Sequence, residues 1–102
     1  MNRGEVWWAA DPEAGRRPFL ILARQSAVPL LNRVICVPAT RTIRGLPTEV
    51  RLDEDDGMPQ PCVLSFDNLT VVRRGLLAER ICRLPIDRMP EVCRALRAAT
   101  GC

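Results

Sequence analysis

The chain of 102 residues contains no histidine, no tyrosine and no lysine, and each absence limits the chemistry open to it. Without histidine, any proton transfer near neutral pH falls to arginine, carboxylate or hydroxyl groups. Without lysine, all 15 basic residues are arginine, whose planar guanidinium holds phosphate oxygens through two parallel hydrogen bonds. Two Trp and two Phe are the only aromatic residues, so stacking cannot dominate binding to a nucleic acid.

Long apolar runs are missing as well. No stretch approaches the roughly 20 residues that a membrane-spanning helix needs. Near the N-terminus, Arg3 and Glu5 are not followed by the apolar segment of a secretory signal. We therefore expect a cytoplasmic protein that does not associate with a membrane.

The five cysteines are odd in number, widely spaced and without a C-x-x-C pair. Because no histidine can complete a zinc site, the sequence predicts no metal and no cofactor. We interpret Cys36, Cys62 and Cys82 as small apolar residues inside strands, and Cys102 as a mobile thiol.

The charges are unevenly distributed. Arginine predominates in residues 1–44 and 61–102, whereas residues 45–60 hold one arginine against five acidic residues. The net charge of +3 is by itself weak support for a nucleic-acid partner, because mildly basic surfaces are common.

Short apolar segments separated by turn residues predict a single small β-rich domain over residues 1–102. Residues 19–23 and 34–37 are continuously apolar, as central strands buried on both faces would be. Residues 49–52 alternate between polar and apolar, which is typical of an edge strand. Further strands are expected at 5–8, at 62–66 with a possible extension to 72, and at 79–84.

The C-terminal segment has helical periodicity. Asp87 is the expected N-cap, Pro90 suits the first turn, and Gly101 suits the helix end. The apolar positions of this helix are Met89, Val92, Cys93, Leu96 and Ala99, and Arg88, Arg94 and Arg97 are expected to face water. Residues 26–32 are a candidate helical turn, and residues 11–15, 42–47 and 53–61 are expected loops.

Two neighbouring strands carry the most informative polar residues at their ends. Arg16 and Arg17 precede the apolar run Pro18-Phe19-Leu20-Ile21-Leu22, and the segment Val37-Pro38-Ala39-Thr40-Arg41 follows about twenty residues later. A guanidinium and a hydroxyl at adjacent strand ends can together hold a phosphate. This pattern predicts a phosphate site at the ends of these two strands.

The same segments resemble the R-P-x-L-[IV]-[LI] and P-[LAC]-T-[ST] motifs of the MazF/PemK family of toxin endoribonucleases. Three more segments are similar to that family: the start Arg3-Gly4-Glu5-Val6-Trp7-Trp8, the segment Phe66-Asp67-Asn68-Leu69-Thr70-Val71-Val72, and Ile81-Cys82-Arg83-Leu84. Each motif alone is weak, but together and in order they are strong.

The resemblance implies a mainly β, α+β fold: a small SH3-like barrel of the MazF/PemK/CcdB type with a C-terminal helix. It also implies a homodimer with a groove across it, and metal-independent, sequence-selective cleavage of single-stranded RNA through the RNA 2′-hydroxyl. The implied partner is an antitoxin whose acidic and apolar tail blocks the groove.

By this resemblance, Arg17 stabilises or protonates the scissile phosphate and Thr40 binds a phosphate oxygen. Thr40 has a simpler alternative, in which its side chain caps a local turn. Arg16, Arg41 and Arg44 are expected to contact the RNA backbone or to be solvated charges.

The roles of Asp67 and Asn68 are less defined. Asp67 either accepts a proton in the reaction or pairs with a structural arginine. Asn68 stands where the family usually has Gln, and its shorter amide is expected to read a base edge. The first loop is shorter than in the family, and Glu13 is a second candidate proton acceptor that does not align cleanly.

Two alternatives concern the function. One is a non-enzymatic poison of DNA gyrase like the CcdB toxins, although their C-terminal Trp-Gly-Ile is replaced here by Thr100-Gly101-Cys102. The other is an inactive barrel that only binds. Trp7, Trp8 and Phe66 are interpreted as core residues rather than as stacking surfaces.

Overall fold

The computed structural model describes residues 1–12 and 15–102, with Asp11 described by its backbone alone. Its regular elements are seven strands and one α-helix. They are β1 (Glu5–Asp11), β2 (Gly15–Ile21), β3 (Arg33–Thr40), β4 (Glu49–Leu52), β5 (Cys62–Ser65), β6 (Thr70–Arg73), β7 (Leu77–Arg83) and α1 (Met89–Thr100).

All strand pairs are antiparallel, and the strand order is β4-β5-β3-β2-β1-β7 with β6 added beside β3. This confirms the mainly β, α+β class with a C-terminal helix. Among the described residues the strand pairing is an open path from β4 to β7 and does not close into a ring. Strand β3 is the central strand of the sheet, because β2, β5 and β6 all pair with it.

Two groups of buried side chains stabilise the sheet. The larger one includes Val6, Leu20, Leu64 and Phe66 and is covered by Val92 of α1. The smaller one lies around Ile21, Val34 and Cys36, at the end of β2 and in the first half of β3. No helix in the described part of the chain is long and apolar enough to span a membrane.

The buried face of α1 and its end at Gly101 agree with the sequence prediction. Gly101 adopts φ 76° and its N–H donates to the Arg97 carbonyl at 2.7 Å. The predicted N-cap at Asp87 is wrong, because Ile86–Arg88 forms a 3₁₀ turn and the helix begins at Met89.

Arg88 does not face water as predicted. Its guanidinium pairs with Asp56 and Glu91 and donates to the Arg51 carbonyl at 2.7 Å. It thus joins the start of α1 to β4 and to the acidic loop after β4. Arg94 and Arg97 are exposed as expected.

Strand β3 is less buried than its apolar sequence predicts. Ile35 is 41% exposed and lies opposite Val71 of β6, which is 54% exposed. The expected continuation of the strand from 62–66 to 72 is interrupted by a 3₁₀ turn, Phe66–Asn68, after which β6 pairs with the other half of β3. Residues 24–31 form consecutive hydrogen-bonded turns, in which Val28 N–H donates to the Arg24 carbonyl and Leu31 N–H to the Ala27 carbonyl, in agreement with the helical turn expected at 26–32.

The cysteines inside the sheet are apolar core residues, as interpreted. Cys36 and Cys62 are buried, and burial raises the pKa of their thiols to about 12 and about 11, respectively. Cys82 is half-buried, Cys102 is exposed, and no cysteine forms a disulfide. The core thiols are therefore protonated and unreactive at neutral pH.

Glu5 is a buried carboxylate in the first strand. Burial alone would raise its pKa, but hydrogen bonds from the Trp7 indole, the Asn2 backbone and the Arg80 guanidinium hold the pKa below its usual value. Glu5 thus stays ionised and ties the start of β1 to β7.

Gly57 provides a direct test of the packing between the acidic loop and β7. It adopts φ 96°, and a Cβ there would lie 2.8 Å from Cβ of Cys82. We expect Gly57→Ala to lower the free energy of unfolding by about 1–3 kcal/mol, measured by urea denaturation. Gly75→Ala is the control, because a Cβ at Gly75 has open space and no strained φ. Equal stabilities of the two variants would contradict this account.

Candidate active site

The register of β2 and β3 determines which polar residues meet. Phe19 lies opposite Pro38 and Ile21 opposite Cys36. The pairing between the two strands ends at Phe19 and Pro38, and Arg17 and Thr40 lie two residues beyond that pair, each on its own strand. Both residues line one pocket. The structure thus brings the predicted guanidinium and hydroxyl to the same edge of the sheet.

A pocket of about 270 Å³ opens at this edge, and we call it the arginine pocket. Its lining includes Trp8, Arg16, Arg17, Thr40, Arg41 and Gln60. None of its described lining residues is acidic. Three arginines around one concave site create a positive potential that attracts phosphate groups.

Thr40 makes the local hydrogen bond that the simpler alternative predicted. Its Oγ1 accepts from the Thr42 N–H at 3.3 Å. A hydroxyl has one donor and two acceptor positions, so this bond leaves the O–H donor usable toward a phosphate oxygen. The capping role and the phosphate role are therefore compatible.

Arg41 is oriented by a residue that the sequence analysis did not select. With the Gln60 amide oriented to match its surroundings, its oxygen accepts from Nε of Arg41 at 3.0 Å and from Nη2 at 3.2 Å. Gln60 thus fixes the guanidinium at the pocket wall.

Arg44 lies on the exposed loop between β3 and β4 and lines neither the pocket nor the groove described next. The loop is shaped by Glu49, whose Oε1 accepts from the backbone N–H groups of Arg44, Gly45 and Leu46 at 2.8–3.2 Å. This carboxylate holds the Arg44 backbone in a defined position outside both hollows.

A second hollow of about 300 Å³ lies beside the arginine pocket, and we call it the apolar groove. Arg17 lines both hollows. The groove also contains Phe19, Asn68, Val71 and Leu76. Asn68 is held by a hydrogen bond from its Nδ2 to Oγ of Ser65 at 2.8 Å. Arg17 therefore stands at the boundary between a basic pocket and an apolar groove.

Asp67 lies outside both hollows. It is exposed in the 3₁₀ turn after β5, and its Oδ2 accepts from the Thr48 hydroxyl at 2.7 Å. Its hydrogen-bond partner is thus a hydroxyl and not the structural arginine that was one of its two predicted alternatives. Glu13, the other candidate proton acceptor, lies outside the described residues.

The interpretation of the aromatic residues as core is correct for two of them. Phe66 is 1% exposed, and Trp7 packs against the smaller core while its Nε1 donates to Glu5 at 3.1 Å. Trp8 differs, because it lines the arginine pocket with the Arg16 guanidinium carbon 4.6 Å from its ring centroid. For Trp8 the core interpretation is wrong.

The sequence held a signal for Trp8 in the β1–β2 hairpin. In that hairpin Trp8 pairs with Pro18, so Arg16 is its diagonal neighbour on the same face. For Gln60 and Glu49 the sequence held no comparable signal, because their contacts depend on how two loops fold back.

The described residues contain no group of three or more His, Cys, Asp or Glu side chains that could hold a metal.

Comparison with known proteins agrees with this geometry. A family model described as PemK-like, MazF-like toxin of type II toxin–antitoxin system matches residues 2–100. The chain is similar to a probable endoribonuclease MazF2 of Mycobacterium tuberculosis, with 43% identity over 103 residues that cover all of both chains.

Solved structures are similar as well. The M. tuberculosis toxin MazF-mt6 superposes with a TM-score of 0.88 and 34% identity, covering 95% of this chain and 96% of that one. A mycobacterial endoribonuclease in complex with its cognate antitoxin gives a TM-score of 0.86 and 25% identity, covering 99% and 95%. The chain therefore belongs to the PemK-like, MazF-like toxins of type II toxin–antitoxin systems.

Proposed function

We propose that this toxin is an endoribonuclease that cleaves single-stranded RNA sequence-selectively in the cytoplasm. The observation that carries the proposal is the position of Arg17, which lines the arginine pocket together with Thr40 and also lines the apolar groove. It is supported by full-length relatives named endoribonucleases. The gyrase-poison alternative has no such support.

The reaction is transesterification by the RNA itself. The 2′-hydroxyl attacks the adjacent phosphorus, the bond to the 5′-oxygen breaks, and a 2′,3′-cyclic phosphate and a 5′-hydroxyl result. The enzyme has to align these groups, move two protons and stabilise the charge on phosphorus. Because the nucleophile is supplied by the RNA, this mechanism requires no metal and no cofactor.

Each predicted residue has a place in this scheme. Arg17 and the Thr40 hydroxyl hold the scissile phosphate, with one neighbouring nucleotide in each hollow. Arg16, Arg41 and Arg44 contact the flanking phosphates, and Asn68 reads a base edge in the apolar groove. The proton acceptor stays a prediction, with Asp67 and Glu13 as candidates.

We also propose that the protein acts as a homodimer. Ile35 and Val71 form an exposed apolar strip on β3 and β6, and Val71 and Leu76 line the apolar groove next to Arg17. An exposed apolar strip that continues into the site is typical of a surface that a second copy covers. The groove would then cross the dimer.

The remaining partner is a cognate antitoxin, as in the complex of the mycobacterial relative. A pocket lined by three arginines attracts the carboxylates of an acidic peptide as well as phosphates. The antitoxin tail would therefore occupy the RNA site.

The first prediction concerns the phosphate contacts. Because each removes one donor to the transition state, Arg17→Ala and Thr40→Ala should each lower the cleavage rate by about 10²-fold or more. Arg17→Lys should retain only part of the parental activity, because a lysine ammonium cannot form two parallel hydrogen bonds to a phosphate. Arg97→Ala, on the exposed side of α1, is the control. An Arg17→Ala protein that folds and cuts RNA at the parental rate would disprove the phosphate site.

The second prediction concerns the chemistry of cleavage. Activity should persist in excess EDTA, and mapping of the products should find cyclic phosphate or its opened form upstream and 5′-hydroxyl downstream. An RNA with 2′-deoxyribose at the cut position should not be cleaved there. Loss of activity in EDTA with recovery in Mg²⁺ would indicate a different mechanism.

The third prediction concerns the antitoxin. RNA and antitoxin should compete, and binding of both should weaken with salt. Arg16→Glu and Arg44→Glu should loosen both partners, whereas Arg94→Glu and Arg97→Glu should affect neither much. Titration of uncleavable RNA against the toxin–antitoxin complex measures this directly. If RNA bound the inhibited complex with unchanged affinity, the shared site would be excluded.

A further inference from the structure

Trp8 has an aromatic face directed at a charged site, which distinguishes it from the three other aromatic residues of the chain. It lies in β1 opposite Pro18 of β2 and Glu79 of β7. Trp7 packs against the core, and Phe19 and Phe66 are buried. Trp8 is half-buried and lines the arginine pocket together with Arg17 and Thr40. Of the four aromatic side chains, Trp8 is therefore the one best placed to contact a ligand in the arginine pocket.

Arg16 covers this face in the free protein. Its guanidinium carbon is 4.6 Å from the Trp8 ring centroid, and its Nη2 is 3.5 Å from Oε2 of Glu79. The side chains of Arg16 and Glu79 are 62% and 70% exposed, respectively. An ion pair this exposed is weakened by water and by salt, so a ligand can displace the guanidinium at small cost.

We propose that Trp8 is the stacking surface for one RNA base next to the scissile phosphate, and that Arg16 is a cover that moves onto a phosphate when the base arrives. This rests on the proposed RNA-cleaving function. In this exchange the base takes the place of the Arg16 guanidinium on the indole. The guanidinium leaves Glu79 and binds a phosphate instead. An indole face stacks on any base, so Trp8 contributes affinity and position more than base identity.

The position of Trp8 also explains a requirement for single-stranded RNA. A base can stack on an indole only after it has left its neighbours in a duplex. Because Arg17 and Thr40 line the same pocket, a base held on Trp8 would fix the adjacent ribose and phosphate relative to both. Trp8 is thus a positioning residue, and its loss should affect binding of the nucleotide at that one place.

The test pairs protein variants with RNAs that lack single bases. The probe is a short single-stranded RNA centred on a mapped cut site, with 2′-deoxyribose at the cut position so that it binds without being cleaved. A series of such RNAs carries one abasic nucleotide at each position in turn. Dissociation constants are measured for the parental protein, Trp8→Leu and Trp8→Phe, after thermal unfolding has verified that all are folded.

At one position next to the cut, removal of the base should weaken binding to the parental protein by about 10-fold. Trp8→Leu should weaken binding of the complete RNA by the same factor, and the abasic change at that position should then cost nothing more. Trp8→Phe should retain most of the affinity and the abasic penalty. Leucine keeps the apolar contact with Pro18 but has no aromatic face, so a purely structural role would leave the abasic penalties unchanged.

Fluorescence provides a second measurement. The complete RNA should quench tryptophan emission of the parental protein, whereas Trp8→Phe, which retains only Trp7, should show no quenching. If Trp8→Leu keeps every abasic penalty while cleavage proceeds, the stacking surface is disproved and the proposed function stands. If the parental protein neither binds nor cuts any RNA, the proposed function itself fails.

Discussion

The antiparallel register between β2 and β3 is the constraint on which the site depends. It pairs the end of β2 with the middle of β3 through Leu20, Ile21, Cys36 and Val37, all of which are buried. Because side chains alternate along a strand, Leu20 and Val37 face the larger core and Ile21 and Cys36 the smaller one, and a shift by one residue would exchange the side chains of one strand between the two cores. The core therefore also determines where Arg17 and Thr40 lie, each two positions beyond the last pair of the ladder, and there both line the arginine pocket. The geometry of the polar site is a consequence of apolar packing nearby.

Around this edge, two of the three arginines of the pocket have a neighbour that orients the guanidinium. Gln60 holds Arg41, and Trp8 with Glu79 holds Arg16. The contact with Gln60 reduces the conformational freedom that Arg41 would lose on binding a phosphate. In the proposed exchange, Arg16 instead leaves Trp8 and Glu79, to which it is bound only by an exposed ion pair and a ring contact. The acidic block of the sequence, in contrast, serves the fold, because Asp56 pairs with Arg88 at the start of α1. The arginines of the pocket thus serve the proposed binding site, whereas the acidic loop after β4 stabilises the start of α1.

Much of this arrangement could be predicted from local sequence. The apolar runs located β2 and β3, the 3.6-residue periodicity located α1, and the polar residues at the strand ends located the arginine pocket. What could not be predicted depends on pairing between distant segments. The apolar sequence around Ile35 predicts a fully buried strand, but β6 only pairs with the edge of β3 and leaves the Ile35 side chain exposed. The sequence around Arg88 predicts a surface charge, but the loop with Asp56 folds back and pairs with it.

The same limit applies to the candidate site. As a large aromatic residue in a strand, Trp8 is expected in the core, and only the hairpin register places it beside Arg16. Asp67 ends an apolar strand, yet the 3₁₀ turn Phe66–Asn68 carries it out to Thr48 and away from both hollows. Apolar periodicity therefore predicted strands and helix well, whereas the partners of charged side chains required the tertiary structure.

The central claim is that Arg17 and Thr40 hold one phosphate together. The most direct measurement is a double-mutant cycle on the single-turnover rate of RNA cleavage, with Arg17→Ala, Thr40→Ala and the double variant. Groups that act on the same transition state are strongly non-additive, so the double variant should be hardly slower than the slower single variant. Fully additive losses, or a single variant that cleaves at the parental rate, would contradict the account.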